Sequence, residues 1–281
     1  MNELDPPPSV IELVSQNPQA DAQWKAWLFN FFKWAQDNMS KDFFFEVARG
    51  SVNGHASVNR VAHDANIGTS LTTVGDENQN VYTWSTTADI NTITSTSNSD
   101  THEIWIQGLD ANYELVEQIV TLTGQTAATL TTPLMRVNCM RNLTGTSTVG
   151  TIYVWVSGGG STAGVPNTQA DIRSSIQLIN GFSNERCTMS IYTIPAGKTG
   201  YIVFGKTTVS DSKAVEIIFR GRASGGVFST EHHIDIVADN YDYFFKLPLR
   251  MPEKTDVEVL AKVGSGTAEV AAVYDIIQVD N

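Results

Sequence analysis

Apolar and polar residues alternate with a period of two along most of the chain. In Glu103 to Thr121, EIWIQGLDANYELVEQIVT, two half-apolar runs flank the turn-forming stretch Gly108-Leu109-Asp110-Ala111-Asn112, which reads as a β-hairpin. The same style continues in FFFEVARG, ASVNRVAH, VYTWST, DINTITSTS, LMRVNCMRNL and GTIYVWVS, and beyond residue 170 in KTGYIVFGKTTVS, AVEIIFRGRA, GVFSTEHHIDIVA, DVEVLAKV and AEVAAVYDIIQV. These runs are short, β-branched and aromatic, and Gly, Asn, Asp and Ser separate them. Strands about ten residues apart, with no long helical pattern between them, predict sandwiches and exclude parallel βαβ units.

One segment breaks the pattern. Asn17 can cap and Pro18 suits the first position of a helix over QADAQWKAWLFNFFKWAQDN. On a helical wheel Trp24, Trp27, Leu28, Phe31, Phe32, Trp34 and Ala35 share an arc of about 160°. Trp24, Trp27, Leu28, Phe31 and Trp34 are therefore candidate anchor residues for a neighbouring subunit, since Trp and Phe dominate such contacts. Packing of this helix on its own domain is the competing expectation. The predicted architecture is mainly β. Residues 1–40 form an extended lead-in with an amphipathic helix, and residues 41–158 form a first jelly-roll-like sandwich. Residues 159–170 form a Gly/Ser/Pro linker, and residues 171–281 form a second, tandem jelly-roll-like sandwich.

Composition narrows the function. Of the 281 residues 41% are hydrophobic, enough for a core, and only 17% are charged. Hydroxyl and amide side chains fill the difference and suit close-packed β surfaces. A net charge of -12 disfavours nucleic acid. The N-terminal MNELDPPPSVIELV lacks a basic region and a long apolar core, so no signal peptide is expected, and no run reaches membrane-span length. Cys139 and Cys187 fall in different predicted domains and are expected to stay reduced.

Candidate chemistry is sparse. His233 and Asp235 share one strand face and are the best metal candidates, but they match no metal-site spacing, so no metal or other cofactor is expected. No nucleophile elbow or protease-like cysteine context occurs, and AGKTGY lacks the glycine and helix of a phosphate loop. The chain reads as a non-enzyme. Trp84, Trp105, Trp155 and Tyr113 are candidate sugar-stacking rings, with core packing as their commoner role. Asp110, Asn112 and Tyr113 stand at a loop tip that could meet neighbours.

The segments Ser97 to Thr101, Gly108 to Tyr113, Val120 to Thr126, Arg136 to Asn138, Gly150 to Ile152 and Pro195 to Thr199, taken in order, resemble a pattern in virion structural proteins of tailed, often marine, bacteriophages. The resemblance covers roughly residues 50–281 and excludes the aromatic helix. It implies a particle component located in the virion, and neither activity nor catalytic residues; contact with other virion proteins and a homo-oligomer such as a trimer are expected because virion positions are symmetric and repeated. Capsid decoration or another accessory position is the leading expectation. A neck or tail component, and a receptor- or glycan-binding adhesin, remain open alternatives.

Overall fold

The fold is that of a computed structural model, which describes residues 24–33, 42–76, 79–179, 182–210 and 212–281. The chain divides into two units, Met1–Ala56 and Ser57–Asn281.

In the first unit residues 24–33 are helical (α1), as the wheel predicts. Trp34 lies outside the described residues. Phe43–Ala48 form a second short helix, α2, where the apolar run FFFEVA predicts a strand. The reason is local. The Asp42 carboxylate accepts the Phe44 N–H at 2.9 Å and caps the first turn. Glu46 then pairs with Arg49 at 3.1 Å, three residues on.

Among the described residues the second unit is built of strands apart from one short 3-10 turn at Gln169–Asp171, and its first strand begins two residues before the boundary. Its strands begin with β1 (His55–Ile67), β2 (Thr72–Thr73), β3 (Ile90–Ser95), β4 (Glu103–Leu109), β5 (Leu115–Thr121), β6 (Ala128–Leu134) and β7 (Arg136–Asn142). There follow β8 (Ile152–Val156), β9 (Ser161–Thr162), β10 (Val165–Pro166), β11 (Ile172–Ile176), β12 (Leu178–Ile179) and β13 (Phe182–Ser183). The last are β14 (Tyr192–Thr193), β15 (Lys198–Val209), β16 (Ala214–Arg222), β17 (Ser229–Val237), β18 (Asn240–Met251), β19 (Asp256–Val263) and β20 (Ala268–Asp280). The expected strand VYTWST is instead an irregular connection, although Tyr82 is buried and its N–H bonds the Thr73 hydroxyl at 2.8 Å.

Two sandwiches are present, but they are nested rather than tandem. Sheets β1-β20-β15-β18 and β14-β19-β16-β17 face each other, with β2 added to β19. Taken in chain order without β2, these eight strands run 1-8-3-6 and 2-7-4-5, the jelly-roll order. Ile67, Ile194, Ile202, Val215, Val257 and Ile276 fill the space between them. The other sandwich joins β11-β8-β3-β6 to β5-β4-β7 and closes on Ile93, Ile104, Ile106, Leu134, Met140 and Ile152. It is inserted between the first and second strands of the jelly roll, and its strand order is not that of a jelly roll.

Sheet membership therefore departs from the expected boundaries. β1 and β2 belong with residues after 190, and β11 belongs with the earlier sandwich. Period-two alternation reports that a strand has a buried face and is silent on its partner. The expected linker is also structured. Residues 161–166 form a small hairpin, β9–β10, turning at Ala163 and Gly164, both at positive φ. A Cβ on Gly164 would overlap the Ser95 carbonyl. Glycine here lets the hairpin fold back onto β3.

Candidate functional site: a sealed seam and an open edge

Two regions concentrate charged and aromatic side chains. One is the seam between the sandwiches. Arg136 at the start of β7 reaches Asp256 at the start of β19, in the other sandwich, through two bonds of 2.9 and 3.1 Å. Asp256 also accepts Arg222 at 2.6 Å and the Thr193 hydroxyl at 2.6 Å. Arg136 and Asp256 are each only 3% exposed. Burial pulls the guanidinium pKa down, but the bond to Asp256 overrides it and leaves Arg136 above its ordinary value. The seam is closed by stacking: Arg136 lies 5.0 Å from the Trp84 ring centre and Arg222 lies 4.6 Å from that of Phe228. Beside it Glu258, fully buried, accepts Arg220 at 2.7 Å and the Thr73 hydroxyl at 2.8 Å. Burial raises the Glu258 pKa, and Arg220 and Thr73 oppose that.

Tyr113 belongs to the seam. Asp110 accepts the N–H groups of Asn112 and Glu114 at 2.8 and 2.9 Å, which tightens the β4–β5 turn. Tyr113 then adopts φ 65° and turns back. Its carbonyl accepts the Ala196 N–H at 2.8 Å, and Arg136 and Lys254 lie over its ring. Of the three expected loop-tip residues, Asn112 remains exposed, Asp110 is half-buried in the turn, and Tyr113 holds the two sandwiches together. The sugar-stacking candidates are similarly engaged. Trp155 is buried, Trp105 packs on the core of the inserted sandwich, and Trp84 sits under two arginines.

The second region is the lateral edge of the jelly roll. β17 and β18 are the outermost strands of their sheets. Tyr241, Phe245 and Leu249 pack inward, and His232 stacks on Tyr241 and Tyr243 at 5.5 and 5.0 Å. Phe244 points out at 74% exposure, resting against Phe204 at 4.7 Å. Asp242 pairs with Lys206 at 3.1 Å. Opposite β15 the register slips between Ile202 and Phe204, so residues 245–248 leave the ladder as a bulge. Leu247, in that bulge, is 85% exposed. Pro248 has no N–H to give and is tolerated because the strand is an edge. A cavity of about 50 Å³ lies behind this edge, lined by apolar and aromatic side chains including Phe219, His232 and Tyr274.

On the outer face of β16 and β17, His233 bonds Glu216 at 3.0 Å, and Glu216 also holds Lys262 at 2.7 Å. His233 thus engages an ion pair, while Asp235 is exposed. Among the described residues no group of three or more His, Cys, Asp or Glu side chains is placed to hold a metal ion. In α1, Trp24 meets Trp27 edge to face at 5.5 Å, Trp27 stacks on Phe31 at 5.3 Å, and all three are half-buried. Leu28, Phe29 and Phe32 are the large exposed apolar residues of that helix among the described residues.

No family model matches the chain, and no curated protein matches it. The similar solved structures include infectious bursal disease virus Gt strain, with TM-score 0.19 and 10% identity over 85% of this chain and 78% of that one. They also include the infectious bursal disease virus VP2 subviral particle, with TM-score 0.17 and 10% identity over 81% of this chain and 77% of that one. At such scores the backbones do not superpose as one fold. The expected membership of a tailed-phage virion family is corrected by these comparisons. No phage family model and no curated phage protein matches, and the solved structures just described come from infectious bursal disease virus. The motifs behind that expectation are turns and strand starts, which unrelated β proteins share.

Proposed function

We propose that the chain is a non-enzymatic structural protein of a virus particle, built to contact other virion proteins and copies of itself. The observation that carries this reading is the open lateral edge of the jelly roll. Phe244 and Leu247 are among the most exposed large apolar side chains, and both stand on an edge strand of an otherwise well-filled sandwich. An exposed apolar edge of this kind marks a contact surface. The seam supports the same reading, since a buried ionic joint presents the two sandwiches as one stiff block. The jelly roll itself recurs in viral capsid domains, which is an argument from fold alone.

The edge also favours a particular occupant, a second copy of this chain. Around Phe244 the segment Asp242-Tyr243-Phe244-Phe245-Lys246 is self-complementary when read antiparallel. A two-fold axis through Phe244 sets Phe244 on the partner's Phe244, and sets Asp242 against the partner's Lys246. The internal pair of Asp242 with Lys206 is no obstacle, because both ends are more than two-fifths exposed and such pairs contribute little. The exposed Leu28, Phe29 and Phe32 of α1 provide a second contact, with another virion protein, in the anchoring role expected for Trp24, Trp27, Leu28, Phe31 and Trp34, of which Leu28 is exposed.

Light scattering after size exclusion tests this on the full chain. A defined oligomer that Phe244→Asp reduces to smaller species, with circular dichroism unchanged, supports the reading. A monomer across the concentration range, together with saturable binding to a glycan array, would replace it with the adhesin alternative.

A further inference from the structure

A third cluster at the seam plays no part in the contacts above. Arg60 projects inward from β1 and is 3% exposed. Its Nη2 donates to the Met189 carbonyl at 3.1 Å and its guanidinium lies 5.8 Å from the Tyr192 ring centre. Its Nε has no acceptor among the described residues, and none of their carboxylates forms an ion pair with it. A buried guanidinium needs an anion nearby. The phenols do not supply it: burial pushes Tyr192 up to about 12, and raises Tyr274 further.

The remaining acids are two thiols, which the structure brings together although the sequence places them 48 residues apart. Cys187 donates its N–H to the Met140 carbonyl at 3.1 Å, and its sulfur accepts the Met140 N–H at 3.3 Å. Cys139 is the neighbouring residue on β7, and its S–H reaches the Met140 carbonyl at 3.7 Å, beside the Cys187 sulfur. Both cysteines are free and buried. The thiol of Cys139 first, and then Arg60 and the Met140 N–H, hold Cys187 well below the usual thiol range despite burial. Cys139 moves the opposite way, raised by its bond to Cys187 and by burial. The two sulfurs thus lie side by side at the Met140 backbone and are inequivalent, Cys187 being the one that Arg60 faces.

We propose that Cys187, facing Arg60, and Cys139 form a peroxide-oxidisable dithiol at the seam between the sandwiches. The Cys187 thiolate attacks one oxygen of hydrogen peroxide, the O–O bond breaks, and hydroxide leaves, giving a sulfenic acid. The Cys139 sulfur then attacks the Cys187 sulfur. Its proton and the sulfenic hydroxyl leave as water, and a disulfide forms. One thiolate, one thiol and one peroxide become one disulfide, one water and one hydroxide, with peroxide as the two-electron oxidant. The disulfide ties β7 covalently to the segment that leads into β14 and removes the negative partner of Arg60.

The test uses the full chain treated with hydrogen peroxide, then unfolded, alkylated and mapped by non-reducing peptide mass spectrometry. The expected product is a peptide pair linked through Cys139 and Cys187, with both thiols lost together. In Cys139→Ser, the Cys187 sulfenic acid should instead be trapped by dimedone. Arg60→Met, which removes the cation facing the Cys187 sulfur, should slow thiol loss severalfold, while folded Arg60→Lys should retain most of the rate. Two thiols that stay fully alkylatable in the peroxide-treated wild type would overturn the site. A linked pair that forms at the same rate in wild type and in folded Arg60→Met would overturn the role of Arg60.

Discussion

The seam and the β18 edge use the same residue types to opposite ends. At the seam Arg136, Asp256, Arg222 and Trp84 are packed together, and every charge meets another or an aromatic face. At the edge Asp242, Phe244, Lys246 and Leu247 are exposed, and the one described ion pair, to Lys206, is open to water. Burial makes the difference. A sealed charge pair cannot be broken without leaving an ion stranded, so it fixes how the sandwiches sit. An exposed ring and flanking charges can exchange water for a partner at low desolvation cost.

That contrast can be broken from either side. The largest effect is expected at the seam. Asp256→Asn leaves the buried Arg136 and the half-buried Arg222 facing a neutral side chain, and urea denaturation should show a loss of about 3–5 kcal/mol. Gly164→Val, at φ 78° and against the Ser95 carbonyl, should cost about 1–3 kcal/mol and perturb the β9–β10 hairpin, again read by denaturation.

The next effect is a pH dependence at the edge. Burial first, and His233 second, lower the His232 pKa below its ordinary 6.5. A depressed folded value means that the neutral ring is the folded form. Its contribution is complete above about pH 6.5 and is lost as pH falls through the folded value. Thermal melts of wild type and His232→Phe should diverge only on the acid side. The smallest effect is expected on the outer sheet face. Lys262→Ala removes an exposed pair with Glu216, and its melt should stay within about 0.5 kcal/mol of wild type.

The strands and the α1 helix are legible in the sequence because their periods of 2 and 3.6 are written in neighbouring residues. The sequence misleads at Phe43–Ala48, where three adjacent phenylalanines look like a buried strand and the cap at Asp42 carries the opposite signal. The nesting is not legible. β1 finds β20 across more than two hundred residues, and no local pattern encodes that pairing. For the same reason Arg136 and Asp256, 120 residues apart, give no hint of a seam, and Cys139 and Cys187 read as residues of different domains. Tyr113 looks like a loop tip because the hairpin turn is visible in sequence and the wall that it turns back onto is not.

The central claim is that the open edge is where copies meet. Its most direct test is a charge exchange about Phe244, followed by analytical ultracentrifugation of the full chain. Asp242→Lys places like charges on both sides of the two-fold contact, and so does Lys246→Asp. Each variant alone should therefore sediment as smaller species than wild type. Mixed in equal amounts, the two should restore the wild-type species, because every contact between unlike variants then sets a lysine against an aspartate. Single variants that assemble like wild type, or a mixture that remains dissociated, would contradict the account.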